Sequence, residues 1–206
     1  MTVDPLQPPE GWLPAAPGRM DIPGARGGLL LRSASSFARV FGRNEIPDVL
    51  TVMNRHPGLF WPWLLFASRL MPFGRLSGRE REMVILRTGW NCRSRYEWGQ
   101  HVDIALRIGV PDADIVCLAR TPERLTAAHE RDLMQACDEL CADNVVSDAT
   151  WGRLAAHYND RHLIEILMLI GHYRMIAGFL NSAGLALEPP VEARLQAFHQ
   201  RIGATG

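Results

Sequence analysis

From Asn44 to the C-terminus, apolar residues recur three and four apart, and no stretch between turn signals alternates with period two. That regularity confines the chain to packed helices, since an all-α bundle is the arrangement in which such apolar faces cover one another. With 206 residues, a single domain buries a core without disulfide or metal staples. The spacing predicts a short helix over 46–54 and a second opened by Trp61-Pro62-Trp63 and running to about Met71, followed by a loop over Pro72–Ser77. Ser77-Gly78-Arg79-Glu80 reads as a capping box opening a helix that fades at Gly89. Ser94-Arg95-Tyr96-Glu97 reads as a second box, and Gly109 stops the helix it opens. Further helices are expected over about 112–119, 124–142, 148–158, 160–183 (ended by Gly184) and 190–201. Ahead of them, residues 1–43 form a Pro/Gly-rich segment with six prolines before Gly24 and the pair Gly27-Gly28, read as an extended arm before one helical domain, 44–206.

Charge and composition exclude several classes of function. The 22 basic and 22 acidic side chains cancel, so neither a nucleic acid nor an anionic membrane is expected as partner. All 22 basic residues are arginine. A chain without lysine forms no lysine Schiff base, holds no pyridoxal phosphate by one, and builds no P-loop. The N-terminus lacks the basic-then-apolar pattern of a secretory leader. The longest nearly apolar run is taken to be Phe60–Ser68, broken by Pro62 and too short to span a bilayer. With Cys92, Cys117, Cys137 and Cys141 the default is a cytoplasmic protein with reduced thiols.

The chemistry concentrates between Arg79 and Val110. Glu82 lies on a helix whose next turns are apolar, and burial raises a carboxyl pKa toward the range useful for proton transfer. Glu97 and His101 are four apart and share a helix face, where a carboxylate can orient an imidazole and stabilise its charged form. The plainer alternatives are a capping role for Glu97, a surface i,i+4 contact, and a helix-dipole role for Glu82. Cys92 sits beside Arg93 and Arg95 near a helix start, surroundings that lower a thiol pKa. Cys137 and Cys141, four apart, are expected to be neighbours on one helix. His162, Glu165 and His172 are of metal-ligand type but carry no recognised spacing, so no metal or other cofactor is expected. These three and Tyr173 are read as pocket or subunit-interface residues, and Trp98 as a pocket wall. Arg81–Leu86 and Ile164–Leu169 echo each other, a glutamate opening an apolar helical run in each, which suggests two related helical units.

The segment resembles the core of the carboxymuconolactone decarboxylase/alkylhydroperoxidase-D family. Arg81-Glu82 opens an apolar helix, a Cys-containing turn follows, and His101 lies nineteen residues after Glu82. His101-Val102-Asp103-Ile104-Ala105-Leu106-Arg107-Ile108-Gly109-Val110 is similar to the family's H-x-x-x-A-x-x-x-G ending. Ser147–Trp151 and Glu165–Tyr173 resemble longer members, so the likeness covers about residues 45–188. It implies an alkylhydroperoxidase-D-like helical bundle, assembled as a homo-oligomer, a trimer first, with dimer or hexamer as alternatives. The peroxidase branch uses C-x-x-C-x-x-x-H, but here Ser94 and Glu97 stand seven and four before His101. The decarboxylase branch tends to carry a glutamate where Glu97 stands.

The expected function is a cofactor-independent lyase or decarboxylase acting by proton transfer on a small carbonyl or lactone acid. His101 is the general acid/base, Glu97 its orienting partner and Glu82 a second proton carrier. Arg93 and Arg95 are candidate carboxylate anchors, and Tyr96 and Trp98 candidate substrate contacts. The alternatives are a thiol-dependent hydroperoxide reductase built on Cys92 and a non-catalytic binding or assembly protein of the same fold.

Overall fold

The computed structural model describes residues 4–13, 18–20 and 47–203. Among these the chain is all-α: nine α-helices and one 3-10 turn, with no strand. In order they are α1 (Asp48–Met53), α2 (Pro57–Leu70), α3 (Gly78–Asn91), α4 (Arg95–Arg107), α5 (Asp112–Arg120), α6 (Ala128–Asp143), α7 (Asp148–His157), α8 (Asp160–Ala183) and α9 (Pro189–Gly203). The 3-10 turn, Pro122–Arg124, precedes α6, so the long helix expected from residue 124 begins at Ala128.

The centre of the bundle is α3. Met83, Val84, Ile85 and Leu86 are all wholly buried, as expected of a helix covered on every side rather than along one stripe. Its neighbours are α4, α5, α6 and α8. The capping box at its start is formed in both directions: Glu80 N donates to Ser77 Oγ at 3.2 Å, and Ser77 N donates to Glu80 Oε2 at 3.0 Å. The long apolar helix α8 also lies in the core, capped by Asn159 and stopped by Gly184 at φ 72°. By length and composition α8 is apolar enough to cross a membrane, unlike Phe60–Ser68, and half of its most apolar window is buried within the bundle.

Two further features differ from expectation. α2 begins at Pro57 and not at Trp61, because His56 Nδ1 caps Leu59 N at 3.2 Å and Pro57 takes a first-turn position that needs no N–H. The second capping box does not form: Ser94 makes no side-chain cap, its Oγ is buried without a hydrogen-bond partner, and Glu97 turns inward. The link between α3 and α4 is closed by backbone instead. Ser94 N donates to Gly89 O and Arg93 N to Trp90 O, both at 2.9 Å, with Arg93 left-handed at φ 55°. That conformation costs a non-glycine residue about 1–2 kcal/mol.

Residues 4–13 of the expected arm lie against the same link, whereas residues 1–3, 14–17 and 21–43 fall outside the described residues. Leu6 is wholly buried, and Trp12 meets Trp90 edge-on at 5.6 Å and Trp98 at 5.8 Å. Arg93 donates to Gly11 O at 2.7 Å and to Glu10 O at 2.8 Å, which fastens the left-handed residue from outside.

Candidate active site

Glu82, on the second turn of α3, has no exposed surface. The adjoining helix α4 brings His101 across from it, and His101 Nδ1 lies 2.8 Å from Glu82 Oε2. The expected orienting partner, Glu97, does not make this contact; Glu82 does. A carboxylate at Nδ1 fixes the ring with its proton on that nitrogen and leaves Nε2 as the free acceptor. The Tyr173 ring stands edge-on to the imidazole at 5.0 Å, and Arg81 Nε lies 3.3 Å from the other Glu82 oxygen. Orientation of His101 is therefore set by a neighbouring helix rather than by its own.

Glu97 lies beneath α3. Both of its carboxylate oxygens are buried without a hydrogen-bond partner. Burial first, and then the nearby Cys141, push its pKa well above the ordinary carboxyl value of 4.5. Glu97 is thus biased toward its protonated, carboxylic acid form. Its fit depends on Gly89: a Cβ there would meet Glu97 Oε1 at 3.2 Å.

His101 and Glu97 open onto a cavity of about 150 Å³. Its wall comes from α1 and α2 (Val49, Leu50, Trp63, Leu64, Ala67) and from α8 (His172, Tyr173, Ile176, Leu180). His172 stacks on Trp63 at 5.8 Å, and burial lowers its pKa to about 4, which keeps it neutral. Tyr96 lines the cavity but gives its hydroxyl proton to Glu188 Oε1 at 2.8 Å. The same Glu188 accepts from Asp48 N at 2.7 Å and from Gln100 Nε2, so one carboxylate ties α1 to α4.

The other candidate residues lie elsewhere. Trp98 is not a pocket wall but a wholly buried core residue packed on Trp90 and Trp12. Arg93 and Arg95 do not line the cavity either. Arg93 is bound to Glu10 and Gly11, and Arg95 lies 2.7 Å from both Asp4 and Glu192. The expected lowering of the Cys92 pKa is reversed. The thiol is in hydrogen-bonding contact with Cys141 of α6, and this contact and burial push its pKa up. The hydrogen bond from Cys92 instead lowers the Cys141 pKa, assisted by Arg174 and Asn91. Cys137, the expected neighbour of Cys141, is buried with its Sγ toward Val84 O at 3.8 Å. Glu165 accepts backbone N–H bonds from Arg75 at 2.8 Å and Leu76 at 3.0 Å, so it organises the loop before α3.

Sequence reasoning missed Cys141 as the partner of Cys92, and it missed the wall contributed by α1 and α2. The 49-residue separation of the two thiols leaves no periodic signal. For the wall, the apolar spacing of Val49, Leu50, Trp63 and Leu64 was visible, but the face they cover was not.

This architecture defines an alkylhydroperoxidase-D-like helical protein. Residues 57–139 match the model of the carboxymuconolactone decarboxylase family. The matched segment and the fold together make the chain similar to the carboxymuconolactone decarboxylase/alkylhydroperoxidase-D-like family. An uncharacterized peroxidase-related protein from Silicibacter sp. TM1040 superposes with a TM-score of 0.72 at 16% identity, over 86% of this chain and 95% of that one. The alkylhydroperoxidase core of a peroxidase-related protein from Ralstonia eutropha JMP134 gives 0.72 at 18% identity, over 84% and 93%. The debrominase Bmp8, in complex with 2,3,4-tribromopyrrole, gives 0.69 at 14% identity, over 87% and 100%. At these identities the likeness is one of fold. No curated protein sequence matches the chain.

Proposed function

We propose that the protein is an enzyme of lyase or decarboxylase type that moves protons with its own side chains on a small carbonyl or lactone compound. The observation that carries this reading is the buried Glu82–His101 pair, 2.8 Å apart, with His101 opening onto an apolar cavity that Glu97, its pKa raised by burial, also lines. His101 Nε2 acts as the base toward a substrate proton, Glu82 stabilises the imidazolium that results, and Glu97 supplies a proton to the developing carbanion or enolate. An apolar cavity of about 150 Å³ is of the size that accepts a benzene-like ring. Bmp8 was crystallised with a compact brominated ring, which supports a ring-shaped substrate. With Arg93 and Arg95 engaged elsewhere, the described cavity-lining residues include no arginine, which favours a substrate that is neutral or loses its carboxylate. The test is carbon dioxide release and ring isomerisation across a panel of aromatic and lactone acids, with His101→Ala alongside. Full activity in that variant sinks the reading.

The contact between Cys92 and Cys141 favours a second reading, a thiol-dependent hydroperoxide reductase. The Cys141 thiolate attacks the peroxide oxygen, releasing the alcohol and leaving a sulfenic acid. Cys92 then displaces water to form the disulfide, and an external dithiol returns both thiols. Hydroperoxide consumption with excess dithiothreitol tests it, since Cys141→Ser must abolish turnover and Cys92→Ser must abolish the intramolecular disulfide that peroxide alone produces.

Self-association belongs to the same proposal. Leu59, Leu65 and Phe66 on α2 and Ile164, Met168 and Met175 on α8 are exposed apolar side chains, which a homo-oligomer, a trimer first, would cover. Light scattering gives the mass directly, and a monomer at micromolar concentration refutes it.

A further inference from the structure

Away from the cavity, three helices converge on a group of residues with no part in the chemistry above. Glu80 comes from the first turn of α3, His129 from the first turn of α6 and His157 from the last residue of α7. The two imidazole rings lie parallel, 4.3 Å apart and within 6°. His129 Nε2 is 3.8 Å from Glu80 Oε1, and one ligand atom from each residue falls within 4.8 Å of the others. None of the three lines the cavity.

We propose that Glu80, His129 and His157 form a site for a borderline divalent cation of the zinc type, joining α3, α6 and α7. Two imidazoles and a carboxylate are the donor set such ions take, with water completing the sphere. Bond lengths of about 2.0–2.2 Å put neighbouring ligand atoms about 3.3 Å apart. The present spacing, 3.8 Å between His129 and Glu80 and within 4.8 Å among the three, is wider than that, so both imidazoles must rotate inward on binding. Glu80 is prepared for the role. Tyr158 donates to its Oε1 at 2.6 Å and Ser77 N to its Oε2 at 3.0 Å, which orients the carboxylate and leaves a lone pair on Oε1 for the cation. The consequence would be structural. α7 buries only Thr150 and Leu154, and a cation would fasten its C-terminal end to the central helix.

The experiment uses the untagged full-length chain, freed of metal and titrated with Zn2+ by calorimetry, with thermal unfolding measured alongside. The expected result is one bound equivalent and a raised Tm. In His157→Ala, whose side chain is exposed and outside the core, affinity falls by about tenfold or more, that is, by about 1.4 kcal/mol. His129→Ala gives the same loss. Co2+ then identifies the donors by visible absorption: bands without a thiolate charge-transfer component, unchanged by Cys92→Ser, fit the site. Three results overturn it: no binding, wild-type affinity in His157→Ala, or a thiolate band that disappears with Cys92.

Discussion

Replacing Glu97 by glutamine tests whether this residue is a stored acid. The side chain keeps its shape, and both terminal atoms stay in the pocket that already leaves the carboxyl oxygens without partners. Burial raises the carboxyl pKa well above 4.5 in the folded chain, while in the unfolded chain it stays near that value. Above pH 4.5 the folded state therefore holds a proton that the unfolded state has released. Until the folded carboxyl itself ionises, stability must fall with rising pH by up to about 1.4 kcal/mol per pH unit from this group. Glu97→Gln has no proton to hold, so it gains on the wild type by that increment at each step. Urea unfolding of both proteins at about pH 5, 6 and 7 measures the difference, with equal slopes against urea required for the comparison. Under the proton-transfer reading the same variant also loses about 10²–10⁴-fold in turnover, because an amide cannot give up the proton. Parallel stability profiles would refute the argument, since they would mean that Glu97 is ionised in the fold.

Other perturbations separate the remaining parts of the structure. Glu82→Gln weakens the support of His101 and is expected to lower turnover by about 10²–10⁴-fold with little change in KM, measured by steady-state kinetics. His172 carries the opposite pH signature to Glu97. Its folded pKa is lowered from 6.5 to about 4, so stability falls as pH drops through that window, by on the order of 3 kcal/mol in all. His172→Phe retains a ring against Trp63 and should flatten the acid limb of the unfolding profile. Gly74→Ala puts a Cβ 2.5 Å from Glu165 Oε1 and 2.6 Å from Leu70 O, and should cost about 1–3 kcal/mol in chemical denaturation. Mild oxidation should remove Cys92 and Cys141 together, leaving Cys117 and Cys137 to react with a thiol reagent after unfolding.

The fold was legible because its signals are local. Ser77 with Glu80, Gly109 and Gly184 marked helix ends through backbone chemistry that acts within one turn. Where the sequence misled, two residues were competing for one role. Ser94-x-x-Glu97 has the letters of a capping box, but Glu97 is drawn into the interior and the link is closed by left-handed Arg93. Spacing of four placed Glu97 beside His101 on one helix, yet the ring is set by Glu82, whose distance along the chain is informative only through the family pattern. The arginines beside Cys92 were read as lowering its pKa, but their guanidinium groups are engaged by Glu10, Asp4 and Glu192. Contacts of that kind depend on tertiary placement, and no periodicity encodes them.

The cavity divides its duties between separate stretches of chain. Glu82, Glu97 and His101 sit on α3 and α4, while α1 and α2 supply much of the apolar wall. α1 is joined to α4 by Val49 N donating to Tyr96 Oη and through Glu188, which lies outside both. Substitutions at Val49, Leu50 or Leu64 can therefore reshape the space offered to a ligand while leaving the hydrogen bond between Glu82 and His101 intact. Such a scaffold can change its diet without relearning its chemistry, and a library confined to the α1–α2 wall is the natural starting point for altering what the protein accepts.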